Sequence, residues 1–141
     1  MLIMGTVEEA EAFATKMHEG QTDKAGRPYI EHPRAVASKV DGEKEKVVAW
    51  LHDTVEDTPA TIEQIREMFG DEIADAVAAM THDKSVPYMD YVRNIKKNPI
   101  ARKVKMADLS HNMDLSRLAN VTDEDLERVE KYKKAYEILK D

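Results

Sequence analysis

Apolar residues recur at helical spacing from one end of the chain to the other, and no stretch shows the two-residue alternation of a half-buried strand. Val7, Ala10, Phe13, Ala14 and Met17 share one face behind a Thr6/Glu9 capping-box pattern, and Gly20 supplies a stop, which predicts a helix over about residues 7–19. The next segment, QTDKAGRPYIEHP, carries turn formers and two prolines, so it reads as a loop that delivers His32 to a second helix near 33–40. Asp41-Gly42 breaks the pattern, and Val47, Val48, Leu51 and Val55 resume it as an inward stripe over 43–54. A second capping box, Thr61 with Gln64, opens IEQIREMFG, and Asp71 is placed to cap the run that contains Ile73, Ala76, Val77 and Met80. After the loop THDKSVP, Met89, Val92 and Ile95 suggest a helix ended near Asn98-Pro99. Ile100, Val104, Ala107 and Leu115 predict a helix over 100–118. Thr122 with Asp125 opens the last, with Leu126, Val129, Tyr136 and Leu139 as its apolar face.

Seven or eight helices without strand, repeat or linker predict an all-α fold, a compact irregular helical bundle, and 141 residues suit a single domain over 1–141. Charged residues make up 35% of the chain and the net charge is −7, which argues against a partner that is a nucleic-acid polymer, because such binding draws on Lys and Arg. A basic pocket for one nucleotide remains compatible with that charge. No cysteine is present, so a metal would have to rest on His, Asp and Glu. The opening MLIMGTVEEAE is too short and lacks the basic flank of a secretory signal, and nowhere do about 18 apolar residues run together. A cytoplasmic protein without a membrane partner is the expectation, and exposed Met and Tyr faces leave a homo-oligomer open.

Candidate chemistry gathers in LHDTVEDT, where His52, Asp53, Glu56 and Asp57 put four ionisable groups in six positions. If residues 50–57 are helical, Glu56 and Asp57 each lie one turn beyond His52 and Asp53 on roughly the same face. Alone, this is either a solvated helix end or a set of groups gathered around a cation and a water. Asp108, in the otherwise apolar VKMADLSHN, needs a partner to offset desolvation, and Lys105 three residues earlier is the plain alternative to a metal.

Together, HEGQTDKAGRPYIEHP, AWLHDTVEDTPATIEQIREMFG and VKMADLSHNM resemble the hydrolase domain of the RelA/SpoT alarmone enzymes, within the His-Asp (HD) phosphohydrolase superfamily. The resemblance covers most of residues 6–118. It implies one HD-type, metal-dependent phosphohydrolase domain, similar to the stand-alone small alarmone hydrolases that act on ppGpp. It also implies one divalent ion, usually Mn²⁺, held by His32, His52, Asp53 and Asp108, with Glu56 and Asp57 orienting a water and handling its proton. Lys24, Lys84, Asn112 and Tyr132 match positions that contact the nucleotide substrate. His18 is expected to make a structural hydrogen bond, His111 falls at a variable position, and His82-Asp83 matches a substrate loop rather than the metal doublet.

One position departs from the pattern. Many members carry an arginine two residues after GQ that stacks on the guanine, and this chain has Asp23, which cannot supply a cation–π contact. The implied reaction is removal of the 3′-pyrophosphate of ppGpp or pppGpp to give GDP or GTP and pyrophosphate. Hydrolysis of another nucleotide, such as an adenine alarmone or NADPH, and a non-catalytic nucleotide sensor stay open beside it.

Overall fold

The computed structural model describes residues 6–116 and 118–141. The opening residues MLIMG, part of the stretch judged too short for a secretory signal, lie outside the described residues. The helices are α1 (Val7–Met17), α2 (Glu31–Ser38), α3 (Glu43–Leu51), α4 (Thr54–Asp57), α5 (Ile62–Phe69), α6 (Asp71–Met80), α7 (Tyr88–Lys96), α8 (Pro99–Asn112) and α9 (Asp123–Lys140). Eight are full helices and α4 is a single turn, so the all-α expectation holds. Among the described residues the only β-type pairing is one isolated bridge, Thr22 with Pro28, which pinches the loop between α1 and α2. None of the described helices is long and apolar enough to cross a membrane.

Helix α3 lies at the centre, with α1, α2, α6 and α8 packed around it. That position explains why Val47, Val48, Ala49, Trp50 and Leu51 are all buried: the second half of α3 is covered on every side and has no polar face, whereas its first turn, Glu43 to Lys46, reaches solvent. Ala10 and Ala14 of α1 and Ala101 and Ala107 of α8 let those helices approach it closely. The caps read from sequence are in place. Thr6 accepts from the Glu9 amide, and Thr61/Gln64 and Thr122/Asp125 form complete capping boxes.

Several boundaries differ from the sequence reading. Helix α2 starts at Glu31, so His32 belongs to its first turn rather than to the loop; Pro33 is tolerated there because first-turn amides have no helical partner. The expected helix over 43–54 ends at Leu51. His52 Nδ1 takes the Ala49 carbonyl at 2.6 Å and Thr54 Oγ1 takes the Leu51 carbonyl at 2.8 Å, so side chains compete with the backbone ladder. The helix over 100–118 stops at Asn112, after which the Asp114 carboxylate turns back onto the Ser116 amide at 2.9 Å. Gly70, at φ +91°, holds the cap position expected of Asp71, whose carboxylate instead pairs with Arg66 Nη1 at 2.8 Å. Leu126 is 53% exposed, because the face that α9 buries carries Asp125, Ala135 and Leu139, and Leu126 lies about 100° round the helix from Asp125.

Candidate metal centre and active site

Three parts of the chain bring four donors together at one end of α3. His32 comes from the first turn of α2, His52 and Asp53 from the break between α3 and α4, and Asp108 from the last turns of α8. One ligand atom from each lies within 4.8 Å of all the others. His32 Nε2 stands 2.8 Å from Asp108 Oδ1 and 3.6 Å from Asp53 Oδ2, and His52 Nε2 stands 3.3 and 3.1 Å from the same two oxygens. Donors held about 2.1 Å from a single ion sit about 3 Å from one another, so the cluster has the size for one small divalent cation. Break geometry is what permits this: adjacent side chains in a continuous helix diverge by about 100°, whereas the end of α3 lets His52 and Asp53 face the same point.

Each donor side chain is also held by a neighbour outside the set of four. His52 Nδ1 donates to the Ala49 carbonyl, which leaves Nε2 to face the cluster. His32 Nδ1 lies 2.7 Å from His111 Nδ1, and the two rings stack with centroids 4.9 Å apart. The Tyr29 hydroxyl donates to Asp53 Oδ2. Asp108 gives Oδ2 to Lys105 Nζ at 3.0 Å and also receives Asn112 Nδ2 on Oδ1 at 3.1 Å.

Charge follows from these contacts. Burial pushes the Asp108 carboxyl up, but the Lys105 ammonium and the two imidazoles outweigh it and hold its pKa well below the usual range. Asp53 is likewise lowered, chiefly by His52 against its own burial. Burial disfavours the His52 imidazolium, yet the Asp53 and Asp108 carboxylates raise its pKa well above the ordinary value. A proton on His52 therefore competes with a cation for Nε2, so cation affinity rises with pH.

Glu56 and Asp57 stand at the rim. Glu56 accepts the backbone amide of His82 at 2.7 Å, which ties α4 to the loop after α6. Burial, then the Asp53 and Glu56 carboxylates, push the Asp57 carboxyl up to about 6. The Asp57 carbonyl accepts Gln21 Nε2 at 3.0 Å, and Gln21 Oε1 meets His18 Nδ1 at 3.0 Å, the structural hydrogen bond expected of His18.

A cleft of about 220 Å³ opens over the cluster and is walled by Tyr29, Glu56, Asp57, Tyr88, Lys105 and Asn112 among others. It shares Tyr29, Asn112 and Tyr132 with a second cleft of about 380 Å³ that holds Asp23, Lys24, Leu115, Leu118 and Arg128. Of the residues read as nucleotide contacts, Asn112 and Tyr132 wall both clefts, and Lys24 walls the second with 65% of its side chain exposed. Lys84 is exposed on the 81–87 loop, where its charge acts on Asp57. His82 stays out of the cluster: its Nε2 meets the Val86 carbonyl at 2.8 Å and its ring stacks on Tyr91. Sequence reading missed Tyr29, although an aromatic three residues before His32 in the same loop was a usable signal. It also set Lys105 against a metal role for Asp108, whereas the two Asp108 oxygens accommodate both.

Comparison with known proteins gives concordant matches. A family model described as an HD domain matches residues 10–124. The Escherichia coli protein named bifunctional (p)ppGpp synthase/hydrolase SpoT is 35% identical over 123 residues, 76% of this chain but 17% of SpoT, so the chain spans about a sixth of that relative. The human guanosine-3′,5′-bis(diphosphate) 3′-pyrophosphohydrolase MESH1 is 37% identical over 123 residues, 77% of this chain and 69% of MESH1. A solved structure described as a metazoan orthologue of SpoT that hydrolyses ppGpp superposes with TM-score 0.79 at 26% identity, covering 99% of this chain and 88% of that one.

Proposed function

The chain belongs to the HD-domain family, and on that premise we propose that it is a single HD-type, metal-dependent pyrophosphohydrolase acting on a guanosine nucleotide. The substrates are guanosine 3′,5′-bis(diphosphate) and its pentaphosphate, and the products are GDP or GTP and pyrophosphate. What carries this reading is the buried convergence of His32, His52, Asp53 and Asp108 beside the rim pair Glu56-Asp57, in a chain whose relatives are named a (p)ppGpp synthase/hydrolase and a guanosine-3′,5′-bis(diphosphate) 3′-pyrophosphohydrolase.

The donor set suits a divalent cation; two imidazole nitrogens with two carboxylate oxygens are compatible with Mn²⁺, the ion of this reading, and also with Zn²⁺ or Fe²⁺. When bound, such an ion lowers the pKa of a water and polarises a phosphoryl oxygen. His32, His52, Asp53 and Asp108 would hold it; Tyr29, His111 and Lys105 keep those side chains aimed. Glu56, anchored by the His82 amide, orients the water, and Asp57 takes its proton, a role suited to a carboxyl pushed up to about 6. The water oxygen bonds to the phosphorus next to the 3′ oxygen as Asp57 takes the water's proton, the P–O3′ bond breaks, and the departing 3′ oxygen takes up a proton from solvent, to which Asp57 returns its own. Asn112 and Tyr132 span the two clefts and position the nucleotide across them, with Lys24 and Lys84 as flanking charges for its phosphates.

One observation favours a second reading, hydrolysis of an adenine alarmone or NADPH. Asp23 turns its carboxylate onto the amides of Ala25 and Arg27, at 2.9 and 3.0 Å, and so organises its own loop rather than offering a cation to a guanine. Assay of the Mn²⁺-loaded protein on ppGpp, pppGpp, an adenine alarmone and NADPH, with products identified by mass, separates these. Pyrophosphate and GDP from ppGpp as the preferred reaction supports the proposal. Faster turnover of an adenine substrate replaces it with the second reading, and tight binding of ppGpp without turnover replaces both with a nucleotide sensor.

A further inference from the structure

The cleft over the metal cluster continues past it, and its far wall is made by Tyr88 and Tyr91 of α7, Lys105 of α8 and Lys131 of α9. The second cleft, with Asp23, Lys24 and Arg128, adjoins the first at Tyr29, Asn112 and Tyr132 and includes none of the four residues of that wall. For a nucleotide with its base in the second cleft and its 3′ phosphorus at the cluster, Tyr88, Tyr91, Lys105 and Lys131 are the residues of the first cleft left to meet the outer phosphate.

That wall has the chemistry to receive it. Asp53, Glu56, Asp57 and Asp108 line the cleft, so an entering pyrophosphate needs positive charge beyond that of one divalent ion. Lys105 and Lys131 are the cations of the wall, and Lys105 is already 3.0 Å from Asp108 Oδ2. Lys131 Nζ lies 4.3 Å from the Tyr88 ring centroid and 5.8 Å from that of Tyr132, and no carboxylate pairs with it among the described residues. The Tyr88 hydroxyl is buried and finds no hydrogen-bond partner among the described residues, a state that native proteins rarely leave unanswered. Tyr88 itself lines the cleft beside Lys105 and Lys131.

We propose that Lys131 and the Tyr88 hydroxyl, with Lys105 behind them, seat the outer phosphate of a 3′-pyrophosphate, so that the chain prefers pyrophosphate esters to monophosphate esters. The inference rests on the pyrophosphohydrolase reading above. Native protein, Lys131→Ala and Tyr88→Phe, each loaded with Mn²⁺ and dialysed free of excess, are titrated with inorganic pyrophosphate and with orthophosphate, with metal content and Tm checked. Lys131→Ala should weaken pyrophosphate about tenfold, as expected for one lost charge-assisted contact, and Tyr88→Phe about threefold, with orthophosphate affinity and Tm unchanged. The ratio of kcat/KM for ppGpp over the 3′-monophosphate analogue should fall in parallel. Equal native affinity for the two anions, or unchanged pyrophosphate affinity in both variants, overturns the seat even where ppGpp is hydrolysed. Lys131-dependent pyrophosphate binding in a native protein that leaves ppGpp intact upholds the seat and sinks the substrate reading instead.

Discussion

At the floor of the site His32, His52 and Asp108 are 5%, 2% and 4% exposed, and each side chain has at least two polar partners. In the cleft beside it Lys24 keeps 65% of its side chain in solvent and reaches Asp125 at 4.0 Å. The floor comes from helices packed on α3; the cleft comes from the 22–28 loop, the chain after α8 and the start of α9. Burial with full pairing fixes geometry to the tolerance that metal chemistry requires, whereas exposed side chains adapt to a ligand and change with little effect on the fold. Reaction type should thus be robust in this protein and substrate choice malleable.

Asp108→Ala attacks the floor most directly. It removes a donor and leaves the buried Lys105 ammonium without its carboxylate, so activity should fall beyond ~1,000-fold and stability by about 3–5 kcal/mol, read by bound metal and denaturant unfolding. Activity retained in that variant would end the metal assignment. Glu56→Gln tests whether the rim belongs with the floor: turnover should drop about 100-fold while metal content stays near one per chain. A comparable loss of metal would make Glu56 a ligand instead.

Tyr29→Phe removes a single supporting hydrogen bond to Asp53 and should weaken metal binding or turnover about tenfold, within the range for such partners. An unchanged variant would mean that α3 and α8 position Asp53 without it. Lys24→Ala probes the cleft, where a solvated charge should alter KM a few-fold and leave kcat and Tm in place.

The smallest expected effect is one of pH. Because the folded Asp57 carboxyl is raised to about 6 from an ordinary 3.8, the folded state holds its proton more tightly. The metal-free fold therefore loses stability as pH rises from about 4 through 6, and the penalty is fully present above 6. Asp57→Asn should raise the Tm of metal-free protein at pH 7.5 by more than at pH 5. An equal shift at both would place the Asp57 carboxyl in ordinary solvent.

Much of this architecture was legible residue by residue. Helical spacing located every full helix, and Thr6, Thr61 and Thr122 marked three starts, because a cap and the amide it satisfies are neighbours in sequence. His32, His52, Asp53 and Asp108, which the fold brings within 4.8 Å of one another, were the residues that the resemblance to family motifs singled out. Misreadings fell where side chains intervene in the backbone. His52 and Thr54 ended α3 early by taking its carbonyls, and Leu126 proved exposed because its burial depended on where α9 docks.

The chain by itself determined which residues are helical, which faces are apolar and which side chains carry metal-binding chemistry, since these depend on local dihedrals and on residue type. Only the tertiary structure decided that His32 would stand 2.8 Å from an aspartate 76 positions away, that Lys105 would share that aspartate, and that Tyr88 and Lys131 would close the cleft. The reason is physical. Hydrogen bonds and ion pairs act over about 3 Å, and which groups come that close is set by how helices cross and pack, a consequence of the whole core rather than of any one segment.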